Sequence, residues 1–166
     1  MTESSELTSL AFQIEHVLDR VCAAVEGLDE AQLNWRPPAP DTNSIYVLAT
    51  HILGNAEAWV LGIACEQPME RDRPAEFLAT GPDPSAIVAN AHDLARRFKQ
   101  AFEALPSGDL DLTRRPASAS LSSLWGGRSA QPVTARDAIL QVIGHGSGHL
   151  GHIAITRDWM RATQGS

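Results

Sequence analysis

Ile143-Gly144-His145-Gly146-Ser147-Gly148-His149-Leu150-Gly151-His152-Ile153 is the stretch on which the reading of this chain turns. It carries three of the six histidines. At about 100° per residue, a helix brings His145, His149 and His152 within roughly 60° of one another. The same stripe holds Ala138, Val142, Ile153, Thr156 and Met160, so the imidazoles sit in the middle of a face that should be buried. Buried polar rings need partners, and one metal ion can satisfy several at once. Gly144, Gly146, Gly148 and Gly151 would each cost about 1 kcal/mol relative to alanine in a helix interior. Close packing against a neighbour or anchoring through a bound ion would compensate.

Three further stretches carry the helical period. Leu7, Leu10, Ile14, Leu18, Val21, Val25 and Leu28 recur at three- and four-residue steps and predict a first helix from about Ser5 to Gly27. A link follows, Leu28 to Pro40, closed by Pro37, Pro38 and Pro40, which bar a continuing helix. The second helix starts after Asp41-Thr42-Asn43-Ser44, four residues able to cap. Ile45, Leu48, Ile52, Trp59 and Ile63 form its apolar face, and it should end near Cys65. Residues 66–83 are rich in proline and charge and read as a long surface connection.

The third helix follows Pro82-Asp83-Pro84, with Ile87, Ala91, Leu94, Phe98, Phe102 and Leu105 as its stripe, and stops at Pro106-Ser107-Gly108. Residues 109–132 hold no helical period and read as a long irregular loop. Thr134 caps the fourth helix with Asp137 as a capping-box-like partner, and this helix reaches about Met160. Four such helices predict an all-α fold, a four-helix bundle with long connections, in one domain over 1–166. At least one of the connections 66–83 and 106–133 could cross over the bundle.

Composition narrows the function. Hydrophobic residues make up 43% of the chain, which excludes wholesale disorder. No apolar run approaches a membrane span of roughly 20 residues, and Met1-Thr2-Glu3-Ser4-Ser5-Glu6 does not resemble a secretory leader. A cytoplasmic protein is expected. The net charge of −7, without a lysine or arginine cluster, argues against nucleic-acid binding. Cys22 and Cys65 lie on separate helices with no CxxC partner, so neither a disulfide nor a zinc–thiolate site is expected, and Cys22 fits the core.

His145 and His149, spaced i, i+4, can share one ion of the zinc type. A third ligand must come from elsewhere, and His51 is the candidate. It lies on the second helix at the flank of the face bearing Leu48 and Trp59, with Asn55 one turn later on the same side. Three histidines plus a water or substrate describe an open, catalytically capable site. His152 fits a fourth ligand, a group behind the ligands, a cavity-lining residue or a proton shuttle, since a histidine ordinarily titrates near neutrality. His16 and His92 fall off their stripes and read as surface residues. A zincin would need glutamate where Gly146 stands. The last helix contains no glutamate, which removes the carboxylate di-iron pattern. No Walker or dinucleotide-binding loop is present, and Ser147 points away from His149.

Three pieces together resemble the DinB/YfiT-like superfamily, which includes mycothiol-dependent maleylpyruvate isomerase and bacillithiol transferases. Leu33-Asn34-Trp35-Arg36-Pro37 followed by Thr42-Asn43-Ser44-Ile45 is similar to the family's entry into helix two. His51 matches its first metal histidine, and His145-x-x-x-His149-x-Gly151 matches the HxxxHxG of its last helix. The resemblance implies a four-helix bundle, a divalent metal (zinc or nickel) on His51, His145 and His149, and frequent homodimers. It also implies a small-molecule substrate and a low-molecular-weight thiol cosubstrate, in S-transferase or isomerase chemistry. The chain departs at His152, where relatives commonly carry Gln. A histidine there could close the coordination shell, which would fit a non-catalytic metal-binding or stress-associated protein. Metal-assisted hydrolysis would use the same open site. Trp125 and Arg128 on the loop before the last helix are candidates to gate or line the site's mouth, with packing of the loop onto the bundle the favoured reading of Trp125; Arg36 could meet an anionic substrate, but a structural pairing beside Trp35 is the favoured reading.

Overall fold

A computed structural model describes residues 3–114 and 133–164. Its long helices are α1 (Glu3–Val25), α3 (Ile45–Glu57, continued by a π-helical segment, Ala58–Ala64), α5 (Ser85–Ala104) and α6 (Ala135–Gln164). Two short helices, α2 (Glu30–Asn34) and α4 (Arg73–Glu76), lie in the links. The all-α bundle expected from the periodicity is what the chain forms, and the caps explain its boundaries. Ser44 accepts a hydrogen bond from the Val47 amide at the start of α3. Thr134 and Asp137 exchange bonds at the start of α6, with Oγ1 of Thr134 accepting from the Asp137 amide at 3.0 Å and Asp137 accepting from the Thr134 amide at 3.0 Å. Gly27 takes φ +71° just past α1, a left-handed turn that glycine adopts without strain.

Contacts along the helices fix their directions. Arg136 pairs with Glu6, Gly146 faces Val17, and Arg157 donates to the Ala24 carbonyl at 3.0 Å, so α1 and α6 run parallel. Arg136 also meets Asp111 at 3.0 Å, which brings the end of the α5 segment to the start of α6. Arg114 reaches Glu66 at 2.9 Å, so α3 and α5 finish at that same end. The order is up, down, down, up. The link between α3 and α5 therefore crosses the length of the bundle. The link between α5 and α6 returns at the end it left, closed by a two-residue antiparallel pairing of Thr113–Arg114 (β1) with Val133–Thr134 (β2).

Four sequence expectations change here. The link 28–40 holds α2, capped by a reciprocal Asp29–Gln32 box. The segment beginning at 109 opens with a 3-10 turn, Ser107–Asp111, and β1 before it leaves the described residues. The glycines of α6 are not all packed: a methyl at Gly146 would lie 2.6 Å from Val17 Cγ1, but Gly144, Gly148 and Gly151 face open space. Ile45–Ala64 is long and apolar enough to cross a membrane, in contrast to the composition reading, yet 83% of its most apolar window is buried inside the bundle. That burial places it as the central helix. Residues Val47, Ala49, Ile52, Leu53, Val60 and Ile63 are each at most 1% exposed.

Candidate metal centre

α3 and α6 present the site. His51 comes from the buried side of α3, and His145 and His149 from successive turns of α6. One ring nitrogen from each of the three lies within 4.8 Å of the others. The ring centroids of His51 stand 5.0 Å from those of both His145 and His149, and the latter two are 4.4 Å apart. His51 Nε2 and His145 Nε2 are 3.1 Å apart.

The orientation of His51 comes from the crossover link. Its Nδ1 lies 2.7 Å from Glu76 Oε2. Glu76 also accepts from Arg71, Nε to Oε1 at 2.6 Å and Nη2 to Oε2 at 2.8 Å. Burial alone would raise the Glu76 pKa, but the hydrogen bonds from His51 and Arg71 and their charges hold it below the usual carboxylate value. An ionised carboxylate only accepts, so Nδ1 of His51 carries the hydrogen. In the neutral ring Nε2 is then a bare lone pair aimed at His145.

Gly54, one turn along α3 from His51, leaves the space that Glu76 fills. A methyl group there would run into Oε1 and stand 2.9 Å from Cδ. Phe77 covers the other flank, its ring 4.9 Å from that of His51.

The cluster fits a cation on its own chemistry. Two nitrogens bound tetrahedrally at 2.0–2.1 Å from zinc lie about 3.3 Å apart, close to the 3.1 Å between His51 and His145. His149 Nδ1 is buried with no hydrogen-bond partner. Burial, reinforced by the neighbouring histidines and by Arg71 and Arg73, lowers the His145 pKa to about 4. Burial, with His51 and His152, does the same to His149. Both rings are thus neutral at physiological pH, the form a metal requires. The Glu76–His51 contact is the carboxylate–histidine arrangement that orients metal-binding imidazoles.

His152 stands outside this group. It is exposed, its ring edge-on to His149 with centroids 5.2 Å apart. Asn55 lies buried one turn beyond His51 with its side-chain oxygen unpartnered. Arg36 donates to the carbonyls of Thr42 at 3.1 Å and Phe77 at 3.2 Å, so it ties the α2–α3 link to α4. His16 and His92 are exposed. Trp125 and Arg128 lie outside the described residues. Sequence reasoning missed Glu76, Arg71 and Phe77 because residues 66–83 read as surface, and Gly54 because a helical glycine does not show what fills the place of its missing methyl. A signal was there: Asp72-Arg73-Pro74 is a helix start, with Asp72 accepting from the Ala75 amide at 3.0 Å.

The comparisons with known proteins agree with this architecture. The DinB superfamily profile matches residues 13–153, and the chain belongs to that superfamily. Among solved structures, a DinB-like protein from Bacillus cereus ATCC 10987 superposes with a TM-score of 0.62 at 15% identity, covering 95% of this chain and 90% of that one. A conserved protein from Enterococcus faecalis gives 0.61 at 16% identity, covering 96% and 97%. At such identities the likeness speaks for the fold. No curated protein matches the chain.

Proposed function

We propose that this protein holds a divalent metal ion, zinc or nickel, through His51, His145 and His149, and acts on a low-molecular-weight thiol as an S-transferase or isomerase. The observation that carries the reading is the 3.1 Å approach of two Nε2 atoms, one of them oriented by a buried carboxylate, beside the buried and unpartnered His149 Nδ1. A bound cation of this type favours the thiolate of a thiol at the open position, the nucleophilic form.

The protein's own groups supply the rest. Glu76 and Arg71 fix the His51 ring, and the half-buried His145 and His149 stay neutral. His152, exposed beside His149, would relay a proton between the site and solvent. Its position outside the three-nitrogen group supports an open centre over a closed four-histidine shell. The chain's own thiols are poor nucleophiles. Burial pushes Cys65 up to about 11, against the pull of Arg114, and burial with Asp19 raises Cys22. A reacting thiol would therefore be a cosubstrate.

Two cavities, of about 880 Å³ between α1 and α5 and about 470 Å³ between α1 and α6, are not lined by any of the three histidines. The substrate would approach from the side of α6 on which His152 stands exposed beside His149. Homodimerisation is supported by Leu140, Ile155 and Trp159, large, exposed and within about 100° on α6.

Elemental analysis of untagged protein tests the metal. One equivalent is expected, and none would end the reading. A screen of mycothiol, bacillithiol and glutathione against electrophiles tests the thiol. Turnover without any thiol would favour metal-assisted hydrolysis.

A further inference from the structure

Arg73 is a cation held beside the histidines, and among the described residues no carboxylate is paired to it. It opens α4, its side chain exposed, and lays its guanidinium over Phe77 with Cζ 4.9 Å from the ring centroid. The same ring packs on His51, centroids 4.9 Å apart. Contacts thus run from guanidinium to phenyl to imidazole, from solvent to the cluster.

The other cations of this corner are engaged. Arg71 is spent on Glu76, and Arg36 on two backbone carbonyls. Asp72, next in sequence, caps α4 by accepting from the Ala75 amide. Among the described residues no ion pair joins Arg73 to an acid, although the chain carries 20 acidic side chains against 13 lysines and arginines. A guanidinium resting on an aromatic face is pre-oriented, and its planar fork matches a carboxylate with two parallel bonds.

We propose that Arg73 is an anion anchor at the mouth of the three-histidine site, so that the small molecule taken there carries a carboxylate. This rests on the reading of the cluster as a metal centre that takes small molecules. A ligand holding its carboxylate on Arg73 would direct its other end past Phe77 toward His51 and His145. The anchor selects and orients, and is a positioning residue.

The full chain loaded with cobalt(II) gives a readout that needs no turnover. Two probe pairs are titrated while the cobalt absorption bands are followed. One pair is 3-mercaptopropionate against 2-mercaptoethanol, and the other is succinate against succinamide. The wild-type protein should prefer the charged member of each pair. Arg73→Ala should lose about tenfold of that preference, the worth of one charge-assisted bond, and Arg73→Lys should recover part of it. Metal content should match across the three proteins.

If Arg73→Ala leaves the preference intact in both pairs, or if the wild type shows none, the anchor is refuted. If neither thiol shifts the bands while the succinate preference depends on Arg73, the anchor stands and the thiol chemistry falls. Should Arg73→Ala fail to load cobalt, Arg73→Gln, which keeps a stem over Phe77, replaces it with the same expected loss.

Discussion

Replacing Glu76 with alanine should do more damage than its place in a proline-rich link suggests. The carboxylate accepts from His51 at 2.7 Å and twice from Arg71, at 2.6 and 2.8 Å. The Arg71 side chain is 3% exposed and that of Glu76 9%. Removing the acid takes the carboxylate from a buried guanidinium and the acceptor from a buried ring N–H together. Breaking a buried ion pair from one side costs about 3–5 kcal/mol. In a domain of this size each kcal/mol moves the melting temperature by about 2–4 °C. The expected drop is thus about 6–20 °C, measured by circular dichroism in excess chelator so that metal contributes nothing. Metal affinity, read by competition with a chromophoric chelator, should fall about 10–100-fold, as it does when the group orienting a ligand histidine is lost. Arg71→Met with Glu76→Leu should recover much of the melting temperature, because no charge is left unpaired, yet leave the metal affinity low. If Glu76→Ala melts within 2–3 °C of the wild type under chelation, a shift worth only about 1 kcal/mol, the buried network is not what holds the link to α3.

Other perturbations reach the same site by different routes. His145→Ala or His149→Ala should abolish stoichiometric metal in purified protein, while His16→Ala, on the exposed side of α1, should change neither metal content nor melting temperature. Gly54→Ala should destabilise by about 1–3 kcal/mol, an overpacking cost, and weaken metal binding, because the new methyl runs into the Glu76 carboxylate. Gly151→Ala meets open space and should add up to about 1 kcal/mol of helix stability, seen as a raised melting temperature with metal retained. The metal-free protein should lose stability as pH falls. His145 and His149 have folded pKa values of about 4 against an ordinary 6.5, so their contribution is full above 6.5 and is lost on the way down to about 4. The depressed carboxyl of Glu76 adds a further loss below its ordinary 4.5. A melting temperature flat from pH 7 to 4 under chelation would show that the rings are not desolvated.

The helices were legible because each carries a long apolar stripe between strong stop signals. The 3.6-residue period does not depend on partners, so Ile14 to Val25 or Ile87 to Phe102 read correctly in isolation. The three histidines were legible for the related reason that polar rings on such a stripe break its pattern. The link 66–83 was not. Glu76 is buried by tertiary contact, and nothing in the composition of a charged, proline-rich segment says that one of its acids turns inward. Gly54 shows the same limit. A glycine inside a helix reads as a cost in helix propensity, and its purpose is visible only once Glu76 is seen occupying the missing methyl's place. At Gly144, Gly148 and Gly151 close packing, one of the two compensations the sequence allowed, is not what offsets the cost, because these positions meet open space.

The direction of the chain explains why the crossover link became part of the site. α3 and α5 run the same way, so the segment between them must travel back along the bundle, and the face of α3 bearing His51 and Gly54 lies beside that path. A tight hairpin between α3 and α5 would have left Nδ1 of His51 to water and the ring free to rotate. The crossing chain instead brings a carboxylate to one side of the ring and a phenyl group to another, while Asn34 clamps its far end by bonds to Gly81 O at 2.8 Å and from Gly81 N at 3.2 Å. Cutting that clamp with Asn34→Ala removes both bonds, together with the one Asn34 donates to the Glu30 carbonyl at 2.8 Å, and touches none of the histidines. If the link positions His51 as a unit, the variant should weaken metal binding, by several-fold in the same chelator competition, with His145 and His149 untouched. If the melting temperature falls but metal affinity does not, Glu76 is held locally by Arg71 and Gly54, and the crossover contributes only its passage over the site.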